Sequence, residues 1–245
     1  MRRARQGAHE ESTMRKTQLA LCAALVVEAL GFSACARADA PVHGVPAPII
    51  DEAKAHGVTE VAVLSGGCFW GMQGLFEHVK GVRQVVAGYA GGSAATAQYE
   101  TVSSGSTGHA ESVKITFDPS IVTYGEILRV YFSVAHDPTE LDRQGPDTGT
   151  QYRSEILFSS PMQEKIARAY VAQLTRAHAF AYPVVTRLDK FAGFYPAESY
   201  HQDYLLHNPD SPYIMINDLP KIANLKRLYP DLYRDAPVRL ASAWR

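Results

Sequence analysis

The sequence has few cysteines, no excess of charge and no long apolar run, and each shortage excludes a class of protein. Among its 245 residues, 24 basic and 25 acidic side chains nearly cancel, so nothing favours binding to nucleic acid or an anionic membrane. The apolar run from Leu19 to Val27 is too short to span a bilayer, so no stable membrane insertion is expected. A phosphate-binding glycine loop is missing. No metal is expected either, because His136, Asp137 and Glu140 lack a second histidine at ligand spacing.

The first forty residues have the pattern of an export signal. Arg15 and Lys16 precede the short apolar run, and the small-residue sequence Ala36-Arg37-Ala38 follows it. We therefore interpret residues 1–38 as an N-terminal extension and signal peptide, and predict an exported, periplasmic protein. Lipidation at Cys35 is a minor alternative.

Cysteine usage directs attention to one residue. Cys22 and Cys35 lie in or beside the predicted leader, so cleavage after Ala38 leaves Cys68 as the only thiol. A single thiol cannot form an internal disulfide, and secreted proteins rarely keep an unpaired cysteine without a use. Two interpretations stay open at this point: a reactive nucleophile, or a small buried apolar residue.

The hydrophobic pattern predicts one α+β domain at residues 59–245, preceded by a linker or covering arm at residues 41–58. Strands are predicted at 59–64, 82–89, 110–117 and 152–158, with a further edge strand at 184–188. Helices are predicted after Cys68, from Thr123 and from Ser160, and shorter ones at 199–206 and 219–228. Gly81 is expected to end the first helix.

The predicted order of the elements is βαββαβ. This order is typical of a ferredoxin-like core, in which helices cover one face of a sheet. We therefore predict a two-layer α/β sandwich with a long irregular C-terminal segment beyond Phe191. Nothing in the sequence requires more than a monomer.

The segment from Gly66 to Trp70 reads as a strand–turn–helix junction with a cysteine at the start of the helix. Two glycines allow a sharp turn, and the positive end of the helix dipole is expected to lower the pKa of Cys68. Phe69 and Trp70 place aromatic faces beside the sulfur. The combination suits attack on a small apolar group.

Glu111 is the candidate partner of the cysteine. It lies on the third predicted strand, on the same side as the core residues Val113 and Ile115, so desolvation is expected to raise its pKa. Such a carboxyl stays protonated near neutral pH and can act as a general acid. The alternative is that Glu111 is a solvated residue at the end of the strand.

Three polar side chains and one histidine complete the set of candidates. Tyr99 and Tyr152 lie at loop edges, where a phenol can donate a hydrogen bond without carrying charge. Asp147 lies in a turn, where most aspartates bond to their own backbone. His201 could act as a base but is more simply a structural hydrogen-bonding residue.

Five motifs occur in an order that resembles the peptide methionine sulfoxide reductases of the A type. The resemblance runs from about Glu60 to Tyr229. The motifs that carry it are Gly67-Cys68-Phe69-Trp70-Gly71, Thr107-Gly108-His109-Ala110-Glu111, Gly149-Thr150-Gln151-Tyr152-Arg153-Ser154, Phe194-Tyr195-Pro196-Ala197-Glu198 and Tyr200-His201-Gln202.

The resemblance implies a thiol-dependent oxidoreductase that repairs oxidised proteins and free methionine sulfoxide of the S epimer. It implies that a Cys68 thiolate attacks the sulfoxide sulfur while Glu111 protonates the departing oxygen. It further implies that Tyr99 and Tyr152 hold that oxygen, that Asp147 supports the site, and that Phe69 and Trp70 receive the substrate methyl group. Cys68 would be left as a sulfenic acid.

The sequence departs from many members of that family in its C-terminal tail. Residues 208–245 contain no cysteine that could resolve the sulfenic acid, and the loop from Gly92 to Gln98 also differs. A one-cysteine cycle is therefore implied, with no bound cofactor and an external thiol such as thioredoxin as the reductant. Two other classes stay open: a peroxidase or hydrolase with His109 as base to Cys68, and a binding module with a structural thiol.

Overall fold

The computed structural model describes residues 43–240, which fold into eight strands and six α-helices. The strands are β1 (Glu60–Ser65), β2 (Val82–Ala90), β3 (Ala110–Phe117), β4 (Arg143–Gln144), β5 (Asp147–Thr148), β6 (Glu155–Phe158), β7 (Arg187–Lys190) and β8 (Phe194–Pro196). The helices are α1 (Phe69–Glu77), α2 (Tyr99–Val102), α3 (Tyr124–Val130), α4 (Pro161–Arg176), α5 (Tyr204–His207) and α6 (Leu219–Leu228).

Six strands form one sheet in the order β7-β6-β1-β3-β2-β8. The four inner strands are antiparallel neighbours in the order β6-β1-β3-β2, which is the strand order of a ferredoxin-like core. The α+β fold with that core is therefore confirmed. Strand β7 extends one edge in parallel with β6, and the three-residue β8 extends the other edge along β2.

The helices bury one face of the sheet. Leu75 and Phe76 of α1, Ile127 of α3 and Ile166 of α4 belong to one hydrophobic core with the β3 residue Ile115, and all are fully buried. Helix α3 has the predicted capping box between Thr123 and Glu126, and α4 begins at the predicted proline after a Ser160 cap. The two-layer arrangement follows from these helices sharing one apolar layer.

Several predicted boundaries were wrong for local reasons. Helix α1 ends at Glu77, and Gly81, with φ of +88°, instead forms the turn into β2. The loop from residue 94 to 108 contains the short helix α2. The fourth predicted strand begins at Glu155, because residues 150–152 form a 3₁₀ turn. The strand β8 was missed because three residues are too few to show alternation.

The segment before β1 packs on the helices. Asp51 accepts hydrogen bonds from the Thr123 hydroxyl at 2.5 Å and from the Gly125 N–H at 2.9 Å, and Glu52 accepts one from the Tyr124 N–H at 2.7 Å. Two acidic side chains thus meet the N-terminus of α3, where the helix dipole favours negative charge. The predicted signal peptide at residues 1–38 lies outside the described residues.

Glu77 at the end of α1 makes stability depend on pH. Burial, and next the nearby Asp203 carboxyl, raise the pKa of Glu77 from an ordinary 4.5 to about 10. Between these values the folded chain holds a proton that the unfolded chain has lost, so the free energy of unfolding falls as pH rises. We expect Glu77→Gln to flatten that decline by about 1.4 kcal/mol per pH unit, measured by urea unfolding above neutral pH. Glu100→Gln, at an exposed position of α2, is the control, and an unchanged slope in Glu77→Gln would contradict this reading.

Candidate active site

The junction between β1 and α1 presents Cys68 to a cavity. Gly67 has φ of +88°, a backbone conformation that favours glycine, and it turns the chain sharply after the strand. Cys68 is the N-cap residue of α1 and is 8% exposed. The predicted strand–turn–helix junction is confirmed, and the sulfur lies at the beginning of the helix.

Cys68 and Glu111 meet because β1 and β3 are neighbours. The register pairs Ser65, the last residue of β1, with Ser112 of β3. The chain therefore leaves β1 beside the start of β3, where Glu111 accepts a hydrogen bond from the Phe69 N–H at 3.0 Å. The Cys68 and Glu111 side chains line the same cavity.

One small cavity collects all seven predicted site residues. Its volume is about 100 Å³. The side chains that line it are Cys68, Phe69, Trp70, Tyr99, Glu111, Asp147, Tyr152 and Tyr213. Of these, Tyr213 is the one that sequence reasoning missed. It lies in the irregular C-terminal segment, where no strand or helix periodicity indicates which side chains face the site.

Glu111 has the environment of a neutral acid. Its side chain is buried, and burial raises the pKa of Glu111 to about 8, with a smaller upward contribution from Asp147. The Phe69 N–H and the nearby Cys68 thiol act in the opposite direction but do not cancel the effect of burial. The carboxyl is therefore protonated at neutral pH, as the desolvation argument predicted.

The expected depression of the Cys68 pKa was wrong for the ligand-free site. Burial raises the pKa of Cys68 well above its usual value, and the Glu111 and Asp218 carboxyls raise it further. The Trp70 N–H at the helix start and the Lys221 ammonium lower it by less. The helix terminus is present as predicted, but desolvation outweighs it, so the resting residue is a thiol.

Trp70 is held in place as one wall of the cavity. Its indole stacks on Tyr204 with ring centres 3.8 Å apart, and its Nε1–H donates to His201 Nδ1 at 3.0 Å. Burial lowers the pKa of His201, so a neutral ring accepts this bond. His201 is thus a structural hydrogen-bonding residue, and Phe69 packs beside it with ring centres 5.0 Å apart.

Phenol groups surround the reactive pair. Burial is the largest cause that raises the pKa of Tyr99, Tyr152 and Tyr213, so all three are neutral hydrogen-bond donors at physiological pH. The Tyr213 hydroxyl donates to the Asp147 carboxyl. Asp147 is therefore oriented by a side chain far away in sequence, and it begins the short strand β5 instead of lying in the predicted turn.

His109, the base of the alternative hydrolase, and His136, the candidate metal ligand, do not line the Cys68 cavity. His109 Nδ1 accepts from the Gly92 N–H at 3.2 Å and its Nε2 lies 2.9 Å from the Ser93 carbonyl, so this ring stabilises a loop. It does not line the Cys68 cavity, which argues against a hydrolase with His109 as base. His136 bonds to Ser154 at 2.7 Å, and residues 43–240 contain no group of side chains that could hold a metal ion.

The buried Cys68 thiol beside the neutral Glu111 carboxyl fits the chemistry of a thiol-dependent oxidoreductase. The sequence profile of the peptide methionine sulfoxide reductase family matches residues 60–231. The chain is 57% identical to peptide methionine sulfoxide reductase MsrA 2 of Mesorhizobium japonicum, over 79% of this chain and 99% of that one. It is 48% identical to the MsrA 2 of a Synechocystis species, over 76% and 89% of the two chains.

Solved structures agree with the sequence comparisons. The methionine sulfoxide reductase A of Corynebacterium diphtheriae is 33% identical, with a TM-score of 0.52 over 69% of this chain and 85% of that one. The reduced form of Mxr1 from Saccharomyces cerevisiae is 29% identical, with a TM-score of 0.56 over 65% and 91% of the two chains. The chain belongs to the peptide methionine sulfoxide reductases of the A type, oxidoreductases that act on methionine sulfoxide.

Replacing the acid should remove the proton while keeping the shape of the cavity. We expect Glu111→Gln to lower kcat/KM for methionine sulfoxide by about 10²- to 10⁴-fold, the usual contribution of a general acid. The wild-type rate should fall as pH rises through about 8, where the acid form is lost, and this limb should disappear in the variant. Steady-state kinetics across pH test this, with the substitution Glu164→Gln at a partly exposed position of α4 as control. Unchanged turnover in Glu111→Gln would remove the carboxyl from the reaction.

Proposed function

We propose that this enzyme reduces the S epimer of methionine sulfoxide, free or in proteins, by a cycle that uses one cysteine. The observation that carries the proposal is the cavity in which the Cys68 thiol and the neutral Glu111 acid lie together. Sulfoxide oxygen is a poor leaving group until it is protonated, so a proton donor beside a sulfur nucleophile meets the main chemical demand.

The reaction balances with these two groups. Glu111 gives its proton to the sulfoxide oxygen, and the sulfoxide sulfur becomes electron-poor. The Glu111 carboxylate that results accepts the proton of the Cys68 thiol, and the sulfur attacks. The attack forms a bond between the two sulfurs, and this bond and the substrate S–O bond then break as the hydroxyl passes to Cys68. The cysteine sulfur is thereby oxidised by two electrons, and the substrate sulfur is reduced to the thioether of methionine.

The remaining side chains of the cavity fit the substrate. The neutral hydroxyls of Tyr99 and Tyr152 are suited to hold the sulfoxide oxygen, and Asp147 supports the site through its bond with Tyr213. Phe69 and the anchored Trp70 offer an apolar wall to the methyl group. A wall on one side and phenols on the other, with Cys68 as the attacking group, would distinguish the S epimer from the R epimer.

An external thiol completes the cycle. The sequence has three cysteines, and Cys68 is the last, so no resolving cysteine follows it. One reductant thiol would attack the Cys68 sulfenic acid and release water, and a second would break the mixed disulfide and restore the thiol. A thioredoxin-like protein supplies both thiols, and the enzyme needs no bound cofactor.

The proposed setting is the periplasm. We propose that residues 1–38 are an extension and signal peptide, that residues 59–245 are the catalytic domain, and that the mature enzyme is a monomer. The support is the basic, apolar and small-residue pattern of the leader. Mass spectrometry of the mature chain distinguishes cleavage after Ala38 from lipidation at Cys35.

An epimer-resolved assay tests the function. The enzyme is incubated with dithiothreitol and a mixture of both methionine sulfoxide epimers, and the remaining epimers are separated by chiral chromatography. We expect only the S epimer to be consumed. Without a reductant, one methionine should form per protein, and dimedone should trap one sulfenic acid on Cys68, because no second thiol can remove it.

The matched control is Cys68→Ser, which should be inactive because an alcohol is neither acidic nor polarisable enough to attack sulfur. Peroxide consumption without sulfoxide loss would indicate another cysteine enzyme, and complete inertness would indicate a binding protein. Methionine formation with no trapped sulfenic acid would contradict the one-cysteine cycle.

A further inference from the structure

A buried ion pair lies behind the first turn of α1, outside the cavity. Asp218 is the N-cap residue of α6 and is completely buried. It accepts a hydrogen bond from Lys221 Nζ at 3.0 Å, and the lysine side chain is 17% exposed. Neither residue lines the Cys68 cavity, so neither is placed to touch the substrate.

The pair packs directly against the cysteine helix at Gly71. A Cβ atom at Gly71 would lie 1.9 Å from Asp218 Oδ1 and 2.8 Å from Lys221 Nζ, distances that no side chain could occupy. Gly71 is the third helical residue after the Cys68 N-cap. Only glycine therefore allows this carboxylate and ammonium to approach the turn that carries the sulfur.

Lys221 differs in charge from the acidic groups near the Cys68 sulfur. Glu111 from β3 and Asp218 from α6 oppose a negative charge on Cys68, whereas Lys221 favours it. The neutral hydroxyls of Tyr99, Tyr152 and Tyr213 and the Asp147 carboxyl also line the cavity, and His136, whose pKa burial lowers, packs behind Gly66. Among these groups, all within residues 43–240, the Lys221 ammonium is thus the cation that acts on the thiol.

We propose that Asp218 and Lys221 form a positioning pair for the sulfoxide reductase reaction, in which Asp218 holds the Lys221 ammonium against Gly71 and the two opposite charges together set how readily the Cys68 sulfur ionises. The inference rests on the proposed function of Cys68 as nucleophile. The buried carboxylate attracts the ammonium, so the lysine charge lies beside the turn that carries the sulfur. The carboxylate also limits the effect of the lysine, because the two charges oppose each other at the sulfur.

Alkylation of Cys68 tests the pair without any sulfoxide. The rate of reaction with iodoacetamide follows the thiolate fraction, which changes tenfold per pKa unit. We expect Lys221→Met to slow alkylation by about tenfold at mildly alkaline pH and to move the pH profile upward. Lys221→Arg keeps the charge and should stay close to wild type, whereas Asp218→Asn should move the profile downward and speed the reaction.

The exposed pair of Lys226 and Asp235, 2.9 Å apart, is the matched control because Lys226 lies on the same helix. Lys226→Met and Asp235→Asn should alkylate like wild type. Equal rates for Lys221→Met and Lys226→Met would overturn the proposal, and so would profiles of Lys221→Met and Asp218→Asn that move in the same direction. Lys221→Met decides the question by itself if Asp218→Asn does not fold.

Turnover separates this inference from the function on which it rests. In Lys221→Met, kcat for methionine sulfoxide should fall while KM stays close to wild type, because the lysine lies outside the cavity. A wild-type enzyme that reduces sulfoxide while the alkylation profiles stay unchanged would refute the pair alone. A wild-type enzyme without activity would refute the function, whatever the alkylation profiles show.

Discussion

The site depends on the removal of two acidic groups from water in one cavity. The Glu111 carboxyl is buried against the first turn of α1, where it accepts the Phe69 N–H at 3.0 Å, and burial keeps it protonated at neutral pH. The same desolvation keeps the Cys68 thiol protonated in the absence of substrate. A site built in this way holds little thiolate at neutral pH, so Cys68 should react slowly with oxidants and alkylating agents.

The ferredoxin-like core supplies the geometry for this arrangement. Antiparallel pairing of β1 with β3 brings the end of one strand beside the start of the other, so the cysteine turn and the acid meet without a long loop. The C-terminal segment then closes the site with side chains such as Tyr213, and it also contributes Asp218. The central sheet therefore provides the reacting groups, and the later part of the chain positions and tunes them.

Sequence reasoning succeeded where the signal is local and periodic. The bounds of β3, the capping box of α3 and the start of α4 all follow from alternation or from cap chemistry. The position of Glu111 on the core side of its strand came from the same alternation. The lowered pKa of Cys68 was the main error, because the helix terminus is visible in the sequence whereas burial and the approach of Asp218 are not. Tyr213 was missed for the same reason, since its contact with Asp147 joins distant segments.

The protonation state of Glu111 tests the account most directly. Infrared difference spectra between wild type and Glu111→Gln isolate the carboxyl stretch of this residue, and they can be recorded across pH without substrate. We predict a protonated carboxyl band at neutral pH that converts to a carboxylate band with a midpoint of about 8. A carboxylate band already complete at neutral pH, with a midpoint near the ordinary value of 4.5, would contradict it.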